Sequence, residues 1–215
     1  HYILGGGMEI AMAAARCVIA GETYGGLVEV GVGLVPGGGG CKELLRRAAA
    51  LIPKNVDAFD PEPLIRRAFM NIALAKVGTS GQEVVDFGYL ASSDIVFPSF
   101  DQQIRKAKDV CLGLIKAGYT PPVERPLPVF GEAIRAVFKA GIYPMRLGGF
   151  ASEHDELIAG EVGRILTGGD RRAGTTMTEQ DALDLERESF LKLVGTEKTQ
   201  QRIQHMLMTG KPLRN

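Results

Sequence analysis

The sequence of 215 residues predicts α/β structure over roughly the first 50 residues and a predominantly α-helical region beyond them. Glycines and short β-branched runs are concentrated in the first part, whereas longer segments with helical polar–apolar periodicity follow it. Helix-capping patterns recur along the second part. We therefore place a boundary at Ile52-Pro53, which divides the chain into residues 1–52 and 53–215.

The first part predicts two helices and two strands. A glycine triplet, Gly5 to Gly7, precedes an alanine- and methionine-rich segment from Met8 to Cys17, which favours a loop followed by a helix. Apolar runs from Cys17 to Ala20 and from Tyr24 to Val28 predict short buried strands. Four consecutive glycines then lead into a second helix, from about Cys41 to Ala50.

Helix starts are better defined in the second part. Asp60 followed by proline predicts a capped helix that runs to about Val77. Ser80 lies three residues before a glutamate, as in a capping box, and Ser152 and Thr178 begin looser versions of the same pattern. Thr178 starts the first of two final helices, which we expect to be hinged at Gly195.

Two intermediate segments complete the prediction. Apolar residues spaced three and four apart predict one helix from Phe100 to Ala117 with a single apolar face. Between residues 118 and 149 the prolines, Pro144 among them, predict irregular structure that is interrupted by a helix from Gly131 to Ala140. The charged residues from Asp60 onward are expected to lie mainly on solvated faces and to support packing rather than chemistry.

Composition excludes several classes of function. Lys and Arg together number 25, as do Asp and Glu, so there is no net positive charge to hold nucleic acid or an anionic membrane. The three cysteines form no C-x-x-C pair, and the three histidines lack zinc-site spacing, so no metal site is expected. Apolar runs are too short to span a membrane, and no signal peptide is evident. These features favour a cytoplasmic protein.

Two glutamates are the candidate chemical groups. Glu9 follows the glycine triplet, where backbone amides at a helix start can stabilise a carbonyl oxygen that gains negative charge. The alternative is a tight turn, with Glu9 as a favourable first-turn acid. Glu29 lies among apolar residues and glycines, where burial would raise its pKa towards the range that is useful for proton transfer. Its alternative is an exposed loop residue.

The two segments together resemble the central signature of the crotonase, or enoyl-CoA hydratase, superfamily. The matching strings run from Gly5 to Ala11 and from Glu29 to Gly40, and the two glutamates are 20 positions apart. The resemblance implies that Glu9 is the base and Glu29 the acid in the hydration of an enoyl-CoA. It further implies that the amide of Gly6 is an oxyanion-hole donor and that the amide of Gly37 positions the water.

The rest of the chain is similar to the tail of one branch of this superfamily, in which the hydratase is joined to an NAD-dependent 3-hydroxyacyl-CoA dehydrogenase. The resemblance therefore implies a partial crotonase-like ββα spiral followed by helices, in the carboxy-terminal part of a bifunctional polypeptide. An upstream segment would supply the first strands, the second oxyanion amide and most coenzyme-A contacts. NAD is expected only in the dehydrogenase part, because the glycines after Glu29 do not match the dinucleotide pattern.

Three functions follow from this resemblance as expectations. The first is hydration of trans-2-enoyl-CoA to 3-hydroxyacyl-CoA in fatty-acid β-oxidation, and the presence of both glutamates favours it. The alternatives are double-bond isomerisation or thioester hydrolysis, or a non-catalytic role in assembly. Without upstream strands, residues 18–20 and 24–28 should expose apolar surface, so the chain is expected to associate with itself and to be inactive alone.

Overall fold

Helices make up most of the chain, and short strand pairs join its distant parts. The computed structural model describes residues 1–56 and 58–215. The helices are α1 (Gly6–Met12), α2 (Gly40–Ala50), α3 (Glu62–Ala73), α4 (Gly81–Asp86), α5 (Gln103–Lys116), α6 (Gly131–Leu147), α7 (Glu153–Leu166), α8 (Glu179–Val194) and α9 (Glu197–Thr209). The strands are β1 (Tyr2–Leu4), β2 (Val18–Ala20), β3 (Tyr24–Gly26), β4 (Ile95–Phe97), β5 (Leu127–Pro128) and β6 (Thr176–Met177). Short 3₁₀ helices cover Glu29–Val32 and Phe100–Gln102.

Two of the three strand pairs are parallel. β1 pairs with β3 and β2 pairs with β4, and each pair is in register over three residues. A parallel pair requires a crossover connection, and α1 lies within the one that joins β1 to β3. β5 and β6 form a short antiparallel pair. The predicted combination of α/β structure at the start and helices beyond is therefore confirmed.

One hydrophobic core runs through both predicted regions. α7 lies at its centre and contacts α2, α3, α6 and α8. The rings of Phe69 and Phe138 stack at 4.4 Å between α3 and α6, and Ile165 on α7 is fully buried. Buried side chains of α1 and α2, such as Met8 and Leu45, belong to the same cluster. The first 50 residues are therefore packed directly on the helical region.

The apolar strands near the start are covered, contrary to prediction. Ile19 and Ala20 of β2 are 2% and 3% exposed, and Leu27 is wholly buried. The reason is that β4, which the sequence did not predict, pairs with β2, while β3 pairs with β1 and packs on α4. The expectation of uncovered apolar surface on these two segments was wrong, although Tyr24 is partly exposed.

The first predicted helix is shorter than expected. α1 ends at Met12, and the next four residues form an exposed turn. The amide of Cys17 donates to Asp94 Oδ1 at 2.8 Å, and its carbonyl accepts from the Ile95 amide at 2.9 Å. Pairing with the β4 segment therefore overrides the helix propensity of the alanines.

The helix predicted from Gly131 to Ala140 is longer than expected. α6 begins at Gly131 as expected but continues to Leu147, with Pro144 inside it. A proline in a helix loses one backbone hydrogen bond. Phe138, six residues before Pro144, and Ile142, two residues before it, are buried, so this part of the helix is held against the core.

The segment from Phe100 to Ala117 is a 3₁₀ turn followed by α5, and it has no buried face. None of the α5 residues is buried, and Ile104 is 86% exposed. The predicted apolar face is therefore present in the sequence but is not covered by any described part of the chain. Helix formation was predicted correctly here, and packing was not.

Capping patterns were predicted well where they are local. Ser152 and Thr178 both form complete capping boxes, at the starts of α7 and α8. Ser80 accepts from the Glu83 amide, but the Glu83 carboxylate bonds Thr79 instead, so this box is half formed. α8 and α9 meet at Gly195 as predicted.

The helix predicted from Asp60 to about Val77 is shorter at both ends. α3 extends from Glu62 to Ala73, and Pro61 occupies the N-cap position. The Asp60 carboxylate nevertheless accepts from the Glu62 amide at 3.0 Å, so it still satisfies one of the first helical donors.

Candidate active site

Glu9 lies on α1 with its carboxylate against the glycine-rich turn before α2. α1 is anchored by Met8 and Met12, which are almost fully buried, and Glu9 is only partly exposed. Oε1 of Glu9 accepts hydrogen bonds from the Gly38 amide at 2.8 Å and from the Gly40 amide at 2.9 Å. Two N–H donors on one oxygen fix the orientation of the Glu9 carboxylate and favour its charged form, which is the form that a general base requires.

The turn has room for this carboxylate only because it is made of glycine. A Cβ on Gly38 would lie 2.6 Å from Glu9 Oε2, and one on Gly40 would lie 2.8 Å from Pro36 Cβ. Gly39 between them has a φ of +109°, which side chains rarely adopt. The three glycines thus let the backbone approach the carboxylate directly.

Glu29 lies on the 3₁₀ helix Glu29–Val32 with both carboxyl oxygens buried. No described residue hydrogen-bonds either oxygen. A Cβ added to Gly5 would come within 3.2 Å of Oε1 of Glu29. Gly5 immediately precedes α1, so Glu29 is positioned next to the helix that carries Glu9.

Burial raises the pKa of Glu29 from 4.5 to about 7. The nearby amides of Val28 and Glu29 oppose this rise, although neither makes a well-formed hydrogen bond to the carboxyl, and the negative charge of Glu9 adds to it. Near neutral pH a large fraction of Glu29 is therefore protonated and able to give up a proton. The two glutamates are thus electrostatically coupled but chemically different.

The loop after Glu29 is held by the last helix. The Thr199 hydroxyl on α9 donates to the Gly33 carbonyl at 2.8 Å and lies 2.8 Å from Nε2 of the buried His154. Because a hydroxyl carries a single proton, His154 donates to Thr199 through Nε2. Burial and the nearby Arg202 lower the pKa of His154, which keeps the imidazole neutral.

The two glycines predicted as amide donors are both exposed. Gly6 is the first residue of α1, and among the described residues no acceptor meets its amide. The amide of Gly37 likewise has no acceptor in the part of the chain that the structure describes. A Cβ on Gly37 would lie 2.9 Å from Phe190 Cδ2, so α8 closes on this position from the other side. Both amides remain available to a ligand.

Sequence reasoning missed the contribution of the carboxy-terminal helices. Glu186 on α8 is fully buried and accepts hydrogen bonds from the Gly39 amide at 2.8 Å and the Lys42 amide at 2.6 Å. The sequence analysis expected charges in this region to lie mainly on solvated faces. That expectation was wrong for Glu186 and Arg202, because both side chains are buried and hydrogen-bonded. No local signal sets Glu186 apart, because α8 also carries Glu179, Asp181, Asp184 and Glu188.

Taken together, the site combines a hydrogen-bonded carboxylate, a buried carboxyl and exposed backbone amides at the start of α1. Such a set can take a proton from water, give one to carbon and stabilise a developing oxyanion. Within residues 1–56 and 58–215 no cluster of three or more metal-binding side chains occurs. Among the same residues, no helix is both long and apolar enough to cross a membrane.

Sequence comparison finds two relatives, and no protein-family model matches the chain. The chain is 42% identical over 216 residues to the "Probable 3-hydroxyacyl-CoA dehydrogenase" of Bacillus subtilis (strain 168), covering 99% of this chain and 26% of that protein. It is 29% identical over 182 residues to the fatty acid oxidation complex subunit alpha of Shewanella loihica (strain ATCC BAA-1088 / PV-4), covering 64% of this chain and 26% of that protein. The chain thus spans about a quarter of these curated relatives.

Structural comparison finds hydratases. Carnitinyl-CoA hydratase from Mycobacterium avium matches with a TM-score of 0.54 and 16% identity, over 99% of this chain and 59% of that one. An enoyl-CoA hydratase from Mycobacterium avium subsp. paratuberculosis K-10 matches with a TM-score of 0.52 and 16% identity, over 100% of this chain and 62% of that one. At such identities the likeness shows the fold alone, which is a mixed α/β fold of the enoyl-CoA hydratase type. The predicted fold class is confirmed.

Proposed function

We propose that this chain supplies the acid–base pair for hydration of a trans-2-enoyl-CoA to a 3-hydroxyacyl-CoA in fatty-acid β-oxidation. The observation that carries the proposal is the contrast between two neighbouring glutamates. Glu9 is a carboxylate that accepts two amide hydrogen bonds, whereas burial raises the pKa of Glu29 to about 7, so that about half of Glu29 is protonated at neutral pH. One base and one acid of this kind are what the addition of water to a double bond requires.

The reaction follows from these two protonation states. Glu9 takes a proton from water as the water oxygen bonds to the β-carbon of the enoyl thioester. The electrons of the double bond pass towards the thioester oxygen, which the exposed Gly6 amide stabilises, while the Gly37 amide positions the attacking water. Glu29 then donates its proton to the α-carbon. The proton that Glu9 has gained then passes to Glu29, and both residues are ready for the next cycle.

The names of the relatives support a wider setting for this reaction. A dehydrogenase and a fatty acid oxidation subunit both share this stretch of sequence, and both extend well beyond it. We therefore propose that the chain acts as the hydratase part of a bifunctional polypeptide, whose 3-hydroxyacyl-CoA dehydrogenase and NAD site lie outside it. The remaining oxyanion donor and most of the coenzyme-A contacts are also assigned to the rest of that polypeptide.

Double-bond isomerisation on the same fold is the competing reaction. It needs one acid to move a proton between carbons, whereas hydration uses two carboxyl groups on one water. The hydrogen bonds that two backbone amides donate to Glu9 favour hydration, because they position a second carboxylate that isomerisation does not need.

The test is the product formed from crotonyl-CoA by the complete polypeptide. Hydration adds the mass of one water to the substrate, and isomerisation leaves the mass of an enoyl-CoA substrate unchanged. Thioester hydrolysis releases free coenzyme A. Glu9→Gln and Glu29→Gln should each lower hydratase kcat by about 10² or more. Glu22→Gln, an exposed control, should keep wild-type turnover. Wild-type turnover in both site variants would remove the pair from the mechanism.

A further inference from the structure

Glu186 is a buried carboxyl that the proposed reaction does not use. It lies in the middle of α8, is fully buried, and is bonded to backbone 144 and 147 positions away in the sequence. One oxygen accepts from the Gly39 amide and the other from the Lys42 amide. These amides are among the first donors of α2, which have no acceptor within their own helix.

The same turn holds Glu9 from its other side. The amides of Gly38 and Gly40 donate to Glu9, and the amides of Gly39 and Lys42 donate to Glu186. Successive amides thus alternate between the two carboxyl groups. The orientation that satisfies Glu186 is therefore also the one that presents two donors to Glu9.

Other side chains of α8 support this contact. Leu183 and Phe190 lie on the same helix face as Glu186, at helical spacing. A Cβ on Gly39 would lie 3.7 Å from Leu183 Cδ2, and one on Gly37 would lie 2.9 Å from Phe190. The face of α8 is thus fitted to the turn over several residues, and Glu186 lies at its centre.

Stability alone is a poor reason for placing a carboxyl here. Burial raises the pKa of Glu186 to about 8, the amides of Lys42 and Gly39 oppose this, and the charge of Glu9 raises it further. The Lys42 ammonium is held by Glu43 and Glu179 and makes no hydrogen bond to Glu186. A carboxyl buried in this way is costly to ionise, and apolar replacements of buried ionisable groups are often as stable or more so. What a carboxyl adds is two acceptors with fixed geometry.

We propose that Glu186 is a positioning residue for the acid–base pair. It fixes the turn from Gly37 to Lys42 so that the amides of Gly38 and Gly40 hold Glu9 in place as the base. The inference rests on the proposed hydratase function. Glutamine at this position would keep one acceptor but turn an N–H donor towards the other amide, so one of the two hydrogen bonds would be lost.

A double-mutant cycle in the complete polypeptide tests this role. Glu186→Gln should lower kcat for crotonyl-CoA hydration by about tenfold or more and leave KM within about twofold, because a misplaced base affects the chemical step. In a Glu9→Gln background the same change should cost less than about twofold, because the residue it positions is gone. Glu188→Gln, on the exposed side of the same helix, should match wild type. Equal losses of kcat in both backgrounds would overturn the proposal.

Hydrogen exchange provides a second readout that does not depend on activity. A peptide covering residues 36–43 should exchange at least about tenfold faster in Glu186→Gln than in wild type or Glu188→Gln. If the wild type does not hydrate crotonyl-CoA, the proposed function fails, and the exchange result still reports whether Glu186 holds the turn. Unchanged exchange would overturn the inference even in an active hydratase.

A conservative variant covers the case in which Glu186→Gln does not fold. Glu186→Asp keeps both acceptor oxygens on a shorter side chain, so it should fold and show a kcat below that of wild type. Where both variants fold, aspartate should restore part of the kcat that glutamine loses. If Glu186→Gln does not fold, Glu186→Asp decides the question. Wild-type kcat together with wild-type hydrogen exchange in Glu186→Asp would then overturn the proposal.

Discussion

Replacing Glu29 by glutamine should stabilise the protein at high pH relative to low pH. Its carboxyl oxygens are buried without a hydrogen-bond partner among the described residues, and burial raises its pKa from 4.5 to about 7. When the pKa of a group is higher in the folded protein than in the unfolded chain, its contribution to stability is fully present at pH values below the pKa of the unfolded chain. That contribution is lost as the pH rises through the pKa of the folded protein. The wild type should therefore lose more stability than Glu29→Gln between about pH 4.5 and pH 7, whereas the loss that arises from the raised pKa of Glu186 is common to both proteins.

The pKa values give the expected size of the effect. Each pKa unit corresponds to roughly 1.4 kcal/mol, so ionisation of Glu29 lowers the free energy of unfolding by about 3 kcal/mol at pH 9 and by less than about 1 kcal/mol at pH 5. The stability of Glu29→Gln relative to wild type should thus rise by about 2.5 kcal/mol between these two pH values. Comparing the two pH values cancels any constant effect of the substitution.

Urea unfolding followed by circular dichroism measures this change. The helical signal is suitable because the chain has no tryptophan. The exposed Glu22→Gln variant should show the same pH dependence as wild type. If Glu29→Gln also follows the wild-type curve from pH 5 to pH 9, the carboxyl is not held in an environment that opposes its charge, and the assignment of Glu29 as the acid loses its basis.

Three further predictions test other parts of the site. Thr199→Val should lower the free energy of unfolding by about 2 to 4 kcal/mol in urea titrations, because the Gly33 carbonyl and His154 both lose a buried partner. Gly38→Ala should lower hydratase kcat by about tenfold or more, since its Cβ would lie 2.6 Å from Glu9, and the folded state should be checked by circular dichroism. The 215-residue chain alone should turn over crotonyl-CoA at least about 10² more slowly than the complete polypeptide at equal concentration, because one oxyanion donor is assigned elsewhere.

The sequence was a good guide where a structure depends on neighbouring residues. Ser152 and Thr178 act on amides three residues away, so their capping boxes could be predicted from the pattern alone. The glycines around Glu9 and before α2 were also informative, because the need for close backbone approach leaves only glycine possible. These signals located both candidate glutamates and the fold class.

The sequence was a poor guide where partners are distant. α1 was predicted too long because its alanines favour a helix, whereas the Cys17 amide pairs with Asp94, 77 positions away. The helix from Gly131 was predicted to end at Ala140, because the burial of α6 against the core cannot be predicted from local sequence. Glu186 and Thr199 looked like ordinary residues of charged helices, since the backbone groups they bond, in Gly33, Gly39 and Lys42, lie 144 or more positions earlier.

These long separations also bear on the order of folding. Glu9 and Glu29 precede α8 and α9 in the chain, and the contacts that these two helices make with the loops beside the glutamates close chain segments of 147 and 166 residues. Contacts of such high sequence separation form slowly and late, because the entropy of closing the loop is lost before the contact contributes any stability. A nascent chain that has emerged only as far as residue 178 therefore contains both glutamates without the two helices that fix their surroundings. The acid–base pair reaches its final geometry only when the last helices have docked.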